Sequence, residues 1–143
     1  MTRKGWLLLV LAEAGPAGLD PVQLQKSLFL LGHKRKKEVG SGFYRFIPHN
    51  YGPFSREIYA DVDALVAEGK AAKVDAPGCT WSLFSATAVG TIEAKTIRPQ
   101  APKAGAEYIK DVVPWVKRLS FQELVRSIYT NYPEYRVNSV FRG

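Results

Sequence analysis

His49-Asn50-Tyr51-Gly52-Pro53-Phe54-Ser55-Arg56-Glu57-Ile58-Tyr59 is the stretch whose reading decides the fold of this 143-residue chain. Pro53 suits the first position of a helix, where an N–H would find no partner anyway. Gly52 before it can act as N-cap or take a positive-φ turn. Phe54, Ile58, Val62, Leu65 and Val66 then recur at the spacing of one helical face. Gly69 is placed to close that helix with a left-handed cap. Two strand-like runs follow, 71–74 and 80–85, separated by Asp75-Ala76-Pro77-Gly78, which carries turn chemistry. A helix feeding a hairpin is the second half of a winged helix. In the hairpin, alternation puts Trp81, Leu83 and Ser85 on one face and Ser82 and Phe84 on the other. Leu83 is expected to pack toward the helix, and Trp81 and Phe84 should not both be exposed.

The first half lies upstream. Residues 2–14 read as a helix that is apolar nearly all round from Trp6 to Leu11, hence central to a core. Gly15-Pro16-Ala17-Gly18 breaks it. Asp20 as N-cap and Pro21 at the first helical position open a second helix, with Leu24, Leu28, Phe29 and Leu31 as its apolar stripe. Gly32 ends that pattern, and the cationic run His33-Lys34-Arg35-Lys36-Lys37 follows. After the joint Gly40-Ser41-Gly42, residues 43–47 read as a short aromatic strand, and 48–52 as a loop.

Downstream, Thr87 caps a short helix carrying Val89 and Ile92, and Arg98-Pro99-Gln100-Ala101-Pro102 reads as a linker. Residues 107–119 should be helical, bent or restarted at Pro114. Ser120 and Glu123 form a capping box for a helix with Leu124, Ile128 and Tyr129 that ends before Pro133; residues 136–143 read as a tail. The expected fold is therefore α+β, mainly α. It is a winged helix-turn-helix over 1–98 with a two- or three-stranded wing sheet, and a C-terminal helical extension over 99–143 packed on it.

Composition narrows the function. Twenty Lys and Arg against 13 Asp and Glu give a net charge of +7, which favours polyanionic partners, nucleic acid first. A single cysteine, Cys79, leaves no internal disulfide and no cysteine-based metal site, and suits a reducing cytoplasm. Residues 2–14 imitate a short signal peptide, but Glu13 interrupts the would-be cleavage site, so a buried first helix is the expected reading. No run approaches the roughly 18 apolar residues of a membrane span. A cytoplasmic protein without a membrane partner is expected.

The second helix and the opening stretch carry a resemblance. Leu24-Gln25-Lys26-Ser27-Leu28-Phe29-Leu30-Leu31, then Tyr51-Gly52-Pro53-Phe54-Ser55, then Ile58-Tyr59-Ala60-Asp61-Val62 resemble the YwgA-like small prokaryotic proteins and, more distantly, the Panacea (SocA-like) antitoxin domain. Ser120-Phe121, Glu123-Leu124-Val125 and Tyr132-Pro133-Glu134-Tyr135 extend the likeness. The residues that carry it best are Leu24, Gln25, Lys26, Tyr51, Gly52, Pro53 and Tyr59. Panacea domains neutralise partner toxins, so the resemblance implies that a protein-binding role is open. Leu65-Val66, Gly69, two strands and Thr87 followed by Gly90 are similar, more coarsely, to the helix–wing–helix segment of winged-helix regulators. The long 32–52 segment departs from an ordinary helix-turn-helix, whose turn has about 3–4 residues.

Two readings of function follow. The first is a non-enzymatic DNA-binding protein of the kind that serves transcription regulation, with duplex DNA as first partner. Its candidate contacts are Lys34, Arg35, Lys36 and Lys37, together with Arg45, Ser55, Arg56, Lys70 and Lys73. The run can neutralise phosphates, which positions a protein without specifying sequence. A solvated loop explains it equally well, and a cap or turn role explains Ser55 better. The second is an antitoxin-like or adaptor protein in a toxin–antitoxin or phage-defence system, or a homodimer. Surplus aromatics such as Tyr108, Trp115, Phe121 and Tyr135 would supply its surface. No enzyme is expected, since His33 and His49 stand alone and no nucleophile, base and orienter combine; no cofactor and no metal is expected either.

Overall fold

A computed structural model describes residues 1–143. It is an α+β fold, mainly helical, with seven α-helices and two small antiparallel sheets of two strands each. Helix α1 (Arg3–Ala14) starts where the Thr2 hydroxyl accepts from the Gly5 amide. All of Trp6, Leu7, Leu8, Leu9, Val10 and Leu11 are buried, so this helix is the centre of the molecule rather than one of its faces. Helix α2 (Pro21–Lys34) opens with a reciprocal cap between Asp20 and Gln23, with proline in the first turn, and runs two residues past Gly32. The cationic run thus lies on its last turn and on the short α3 (Lys36–Val39), not in a loop.

The segment around Pro53 folds differently from its expectation. Strands β1 (Ile47–His49) and β2 (Gly52–Phe54) form a hairpin in the register Ile47 to Phe54, Pro48 to Pro53 and His49 to Gly52. Pro53 is therefore a strand residue, and helix α4 (Arg56–Ala67) begins three residues later with Ser55 as N-cap. The reason is long-range. The Gln25 amide donates to the Ser55 carbonyl at 2.9 Å and accepts from the Ser55 N–H at 2.8 Å, holding that backbone extended. Residues 43–46, expected as strand, have no strand pairing, and the neighbours Phe43 and Tyr44 are both buried. Phe43 fits because a Cβ at Gly32 would lie 2.7 Å from its ring.

Gly69, at φ +75, follows α4 as expected and leads into β3 (Ala71–Asp75), which pairs with β4 (Ser82–Ala86). Leu19, between α1 and α2, makes an isolated antiparallel bridge to Phe84 through both backbone bonds. That bridge selects the inward face of the hairpin. Phe84 is buried against Tyr59 of α4, with ring centroids 5.8 Å apart, while Leu83 is only half-buried. The expected partner on α4 was Leu83; alternation gave the faces but not which one turned inward. Trp81 is the exposed member of the Trp81 and Phe84 pair.

Helix α5 (Ala88–Ile97) is capped by Thr87, and a 3-10 turn over Arg98–Gln100 leads to α6 (Lys103–Arg118). Helix α6 runs through Pro114 without restarting. Helix α7 (Phe121–Asn131) has the Ser120–Glu123 capping box. Side chains of α6 and α7, among them Ile109, Val113, Val116 and Leu124, belong to the same buried cluster as those of α1 and α2. The final residues are tied down. The Val140 N–H donates to the Asn50 carbonyl, and Phe141 is buried with Val125 and Tyr129.

Candidate functional site

Two assemblies of side chains stand out from the scaffold. The first grows from the end of α2. Lys34, Lys36 and Lys37 are exposed, and Arg35 is half-buried with its guanidinium over the Tyr108 ring, 5.6 Å from the centroid. Lys34 joins Lys110 and Arg118 of α6 around a surface cleft of about 570 Å³ with Tyr108, Trp115 and Tyr132 in its lining. On the other side, Lys36 and Arg45 border a smaller hollow of about 260 Å³ with His33. None of these cations takes part in the molecule's ion pairs, which are confined to Arg3, Lys4, Lys70 and Arg98.

Those ion pairs are concentrated around α4. This helix exposes Arg56 but also Glu57 and Asp63, with Glu68 beyond its end. Arg3 reaches Glu57 at 2.7 Å and Asp61 at 3.0 Å, and Lys4 reaches Glu68 at 3.3 Å. The Tyr44 hydroxyl donates to the same Asp61 carboxylate at 2.6 Å; burial first, then that bond, pushes the phenol far above its ordinary value. Hydrogen bonding to Glu57 raises Arg3 from its ordinary value. Around α4, then, the surface is acidic with basic residues from α1 folded over it.

The remaining expected contacts divide. Arg56 and Lys73 are exposed, whereas Lys70 is bound to Glu93 at 2.9 Å and Glu68 at 3.8 Å, a pairing that raises its pKa through the Glu93 hydrogen bond. Ser55 is withdrawn altogether. It is 3% exposed, its backbone is held by Gln25, and its buried hydroxyl has no partner, so it cannot touch a phosphate. Ser55, expected among the nucleic-acid contacts, is thus buried at the N-cap of α4 with its backbone held by Gln25 of α2.

The second assembly gathers Gln25, Lys26, Tyr51, Gly52, Pro53 and Tyr59, which are far apart in sequence. Gln25 clamps Ser55, and the Lys26 ammonium donates to the Pro53 carbonyl at 3.1 Å. Lys26 is 3% exposed, and burial pulls its pKa from 10.5 down to about 7 against the weaker opposing field of Asp20. Gly52 takes φ +106, a conformation side chains disfavour, and this lets β2 lie across Lys26 with Tyr129 behind it. Burial also raises the Tyr59 phenol. The spacing of the motif could not reveal that its lysine is buried; that depends on the β1–β2 hairpin closing over α2.

No group of three or more His, Cys, Asp or Glu side chains is gathered to hold a metal ion, and Cys79 is exposed. No helix is long and apolar enough to cross a membrane. No family model matches the chain, and no curated protein matches it.

Proposed function

We propose that this chain is a non-enzymatic, winged-helix nucleic-acid-binding protein that grips the phosphate backbone through the α2–α3 corner and α6, duplex DNA being its first partner. The α1, α2, α4 and β3–β4 order, with the Leu19 bridge supplying a third strand position, supports the winged-helix reading. The observation that carries the nucleic-acid reading is the division of charge. Lys34, Lys36, Lys37, Arg45, Lys110 and Arg118 have no ion-pair partner, whereas Arg3, Lys4 and Lys70 around α4 are paired with Glu57, Asp61 and Glu68. The exposed charges of α4 left without an ion pair are Arg56 and Asp63, one of each sign, so α4 offers no net cation and is not the reading helix in this proposal. Unpaired cations that meet phosphates release counterions and bind without reading bases.

Duplex binding measured by fluorescence anisotropy across a salt series tests this. Replacing Lys34, Lys36 and Lys37 with Gln is expected to weaken binding to all sequences alike and to flatten the salt dependence. Each phosphate no longer neutralised should take about 0.9 log units off the slope. Arg56→Ala should change neither affinity nor sequence preference. Absence of binding at low salt, or a sequence-dependent loss in Arg56→Ala, would refute the assignment.

A protein-partner role, as an antitoxin-like or adaptor molecule, is the second reading. It is favoured by Tyr51, Trp81 and Phe121, large aromatics left 38%, 47% and 44% exposed around one cleft. Such residues are typical anchors of protein interfaces. Co-purification of a stoichiometric protein that resists high salt would put this reading first.

A further inference from the structure

The cleft at Lys26 has a construction that nucleic-acid binding does not use. It holds about 630 Å³ between the start of α2, the β1–β2 hairpin, the turn before β4 and the start of α7. That is the size range of small-molecule sites, about 300–1,000 Å³. Its walls carry the aromatic rings of Tyr51, Phe54, Tyr59, Trp81 and Phe121 beside polar groups that include His49 and Asn50. Tyr51 and Phe121 meet edge to face at 5.1 Å, and Trp81 lines the same cleft from the turn before β4 without an aromatic partner of its own. Phe54 and Tyr59 are half-buried.

Lys26 is among the residues that line this cleft, and it is 3% exposed. An ammonium offers three donors. One goes to the Pro53 carbonyl, and no carboxylate lies within ion-pair distance of the other two. Asp20 also borders the cleft; one of its carboxylate oxygens accepts from the Gln23 N–H, and its field on Lys26 is weaker than the cost of burial. Gln25 cannot serve either, because both ends of its amide are taken by Ser55. Without an ion-pair partner burial draws Lys26 toward the neutral amine, and an anion brought by a ligand would favour the charged form. The bond to Pro53 ties α2 to β2 through one donor, and a ligand anion would take up the others.

We propose that this cleft binds a small organic carboxylate with a flat apolar body. The carboxylate pairs with Lys26 Nζ at the inner end, and the body lies between Trp81 and the Tyr51–Phe121 pair. Aromatic surfaces on both sides select a planar group over a branched one, and the single buried cation selects an acid over its neutral analogue. The proposal is independent of the cationic corner formed by α2, α3 and α6, and either can fail alone.

Titration of the full chain, labelled at the lysine ε-carbons, with phenylpropanoate, naphthoate and their primary amides tests it. Both acids are expected to shift the Lys26 ε-carbon resonance and to quench the Trp81 part of the emission, identified by its loss in Trp81→Phe. The amides should bind at least about tenfold more weakly, the worth of one charge-assisted hydrogen bond. In Lys26→Met the acids should lose that advantage while circular dichroism stays unchanged. Acids and amides of equal affinity on the unsubstituted chain would overturn the proposal. So would a set of ligands that leaves both the Lys26 resonance and the Trp81 emission unmoved. That comparison decides the matter even if Lys26→Met does not fold.

Discussion

Replacing Lys26 with methionine removes a charge that the fold tolerates at a disadvantage, and pH makes that disadvantage measurable. Burial lowers Lys26 from 10.5 to about 7. Below pH 7 both folded and unfolded chains carry the proton, so the full penalty of burying the charge is present. Between 7 and 10.5 the unfolded chain still holds a proton that the folded one has released, so stability rises with pH through this window. A tenfold change in proton affinity is worth about 1.4 kcal/mol, so the gain from about pH 6 to pH 9 is of order 2.5 kcal/mol. Raised tyrosines act in the opposite direction only higher up: Tyr108 is pushed to about 12 by burial, so its effect starts as unfolded tyrosines ionise. The methionine variant should show none of the Lys26 slope. At pH 6 it should be more stable than the parent by about 2–4 kcal/mol, being the relieved penalty less about 1–3 kcal/mol for the orphaned Pro53 carbonyl. Near pH 9 the two should be close. Urea unfolding followed by circular dichroism at pH 6, 7, 8 and 9 measures this. A parent chain whose stability is flat across the series, or a variant with the same slope, would refute the reasoning.

Other perturbations separate neighbouring contributions. Gln25→Ala should cost about 2–4 kcal/mol by stranding the buried Ser55 N–H and carbonyl, while Ser55→Ala should be neutral or slightly stabilising because its hydroxyl has no partner; equal losses in urea unfolding would contradict the clamp. Gly90→Ala inverts the usual helix preference, since a Cβ there collides with the Lys70 carbonyl oxygen. A loss of about 1–3 kcal/mol is expected, and any rise in the thermal midpoint would show that α5 can move off β3. Tyr44→Phe should lose about 1–2 kcal/mol through its 2.6 Å bond to Asp61, and a double-mutant cycle with Asp61→Asn should recover most of that as coupling.

What sequence reasoning captured is local. The caps at Asp20, Thr87 and Ser120 each join a side chain to a backbone group three residues on, and all three are present. The buried run of α1 needs no partner to be recognised, because an all-round apolar helix has nowhere else to go. What escaped depends on distant groups. Pro53 satisfies the first turn of a helix and an edge strand equally, and Gln25, 30 residues away from Ser55, decides between them. The inward face of β4 was set by a two-bond bridge from Leu19. At the candidate sites the residue types of the cationic run were legible, but their freedom from ion pairs was not. Lys26 carried a motif, yet its burial emerges only once the hairpin has closed over it.

The central position of α1 also orders events in time. Its covering comes from α4, α5, β4 and α6, and the Lys117 ammonium reaches back 103 residues to bond the Ala14 carbonyl at 2.6 Å. During synthesis this apolar segment is made about a hundred residues before its last neighbour. Ribosomes add about 5–20 residues per second, so this segment stays uncovered for several seconds. A nascent chain of this design leaves its most apolar helix incompletely covered until α6 has been made.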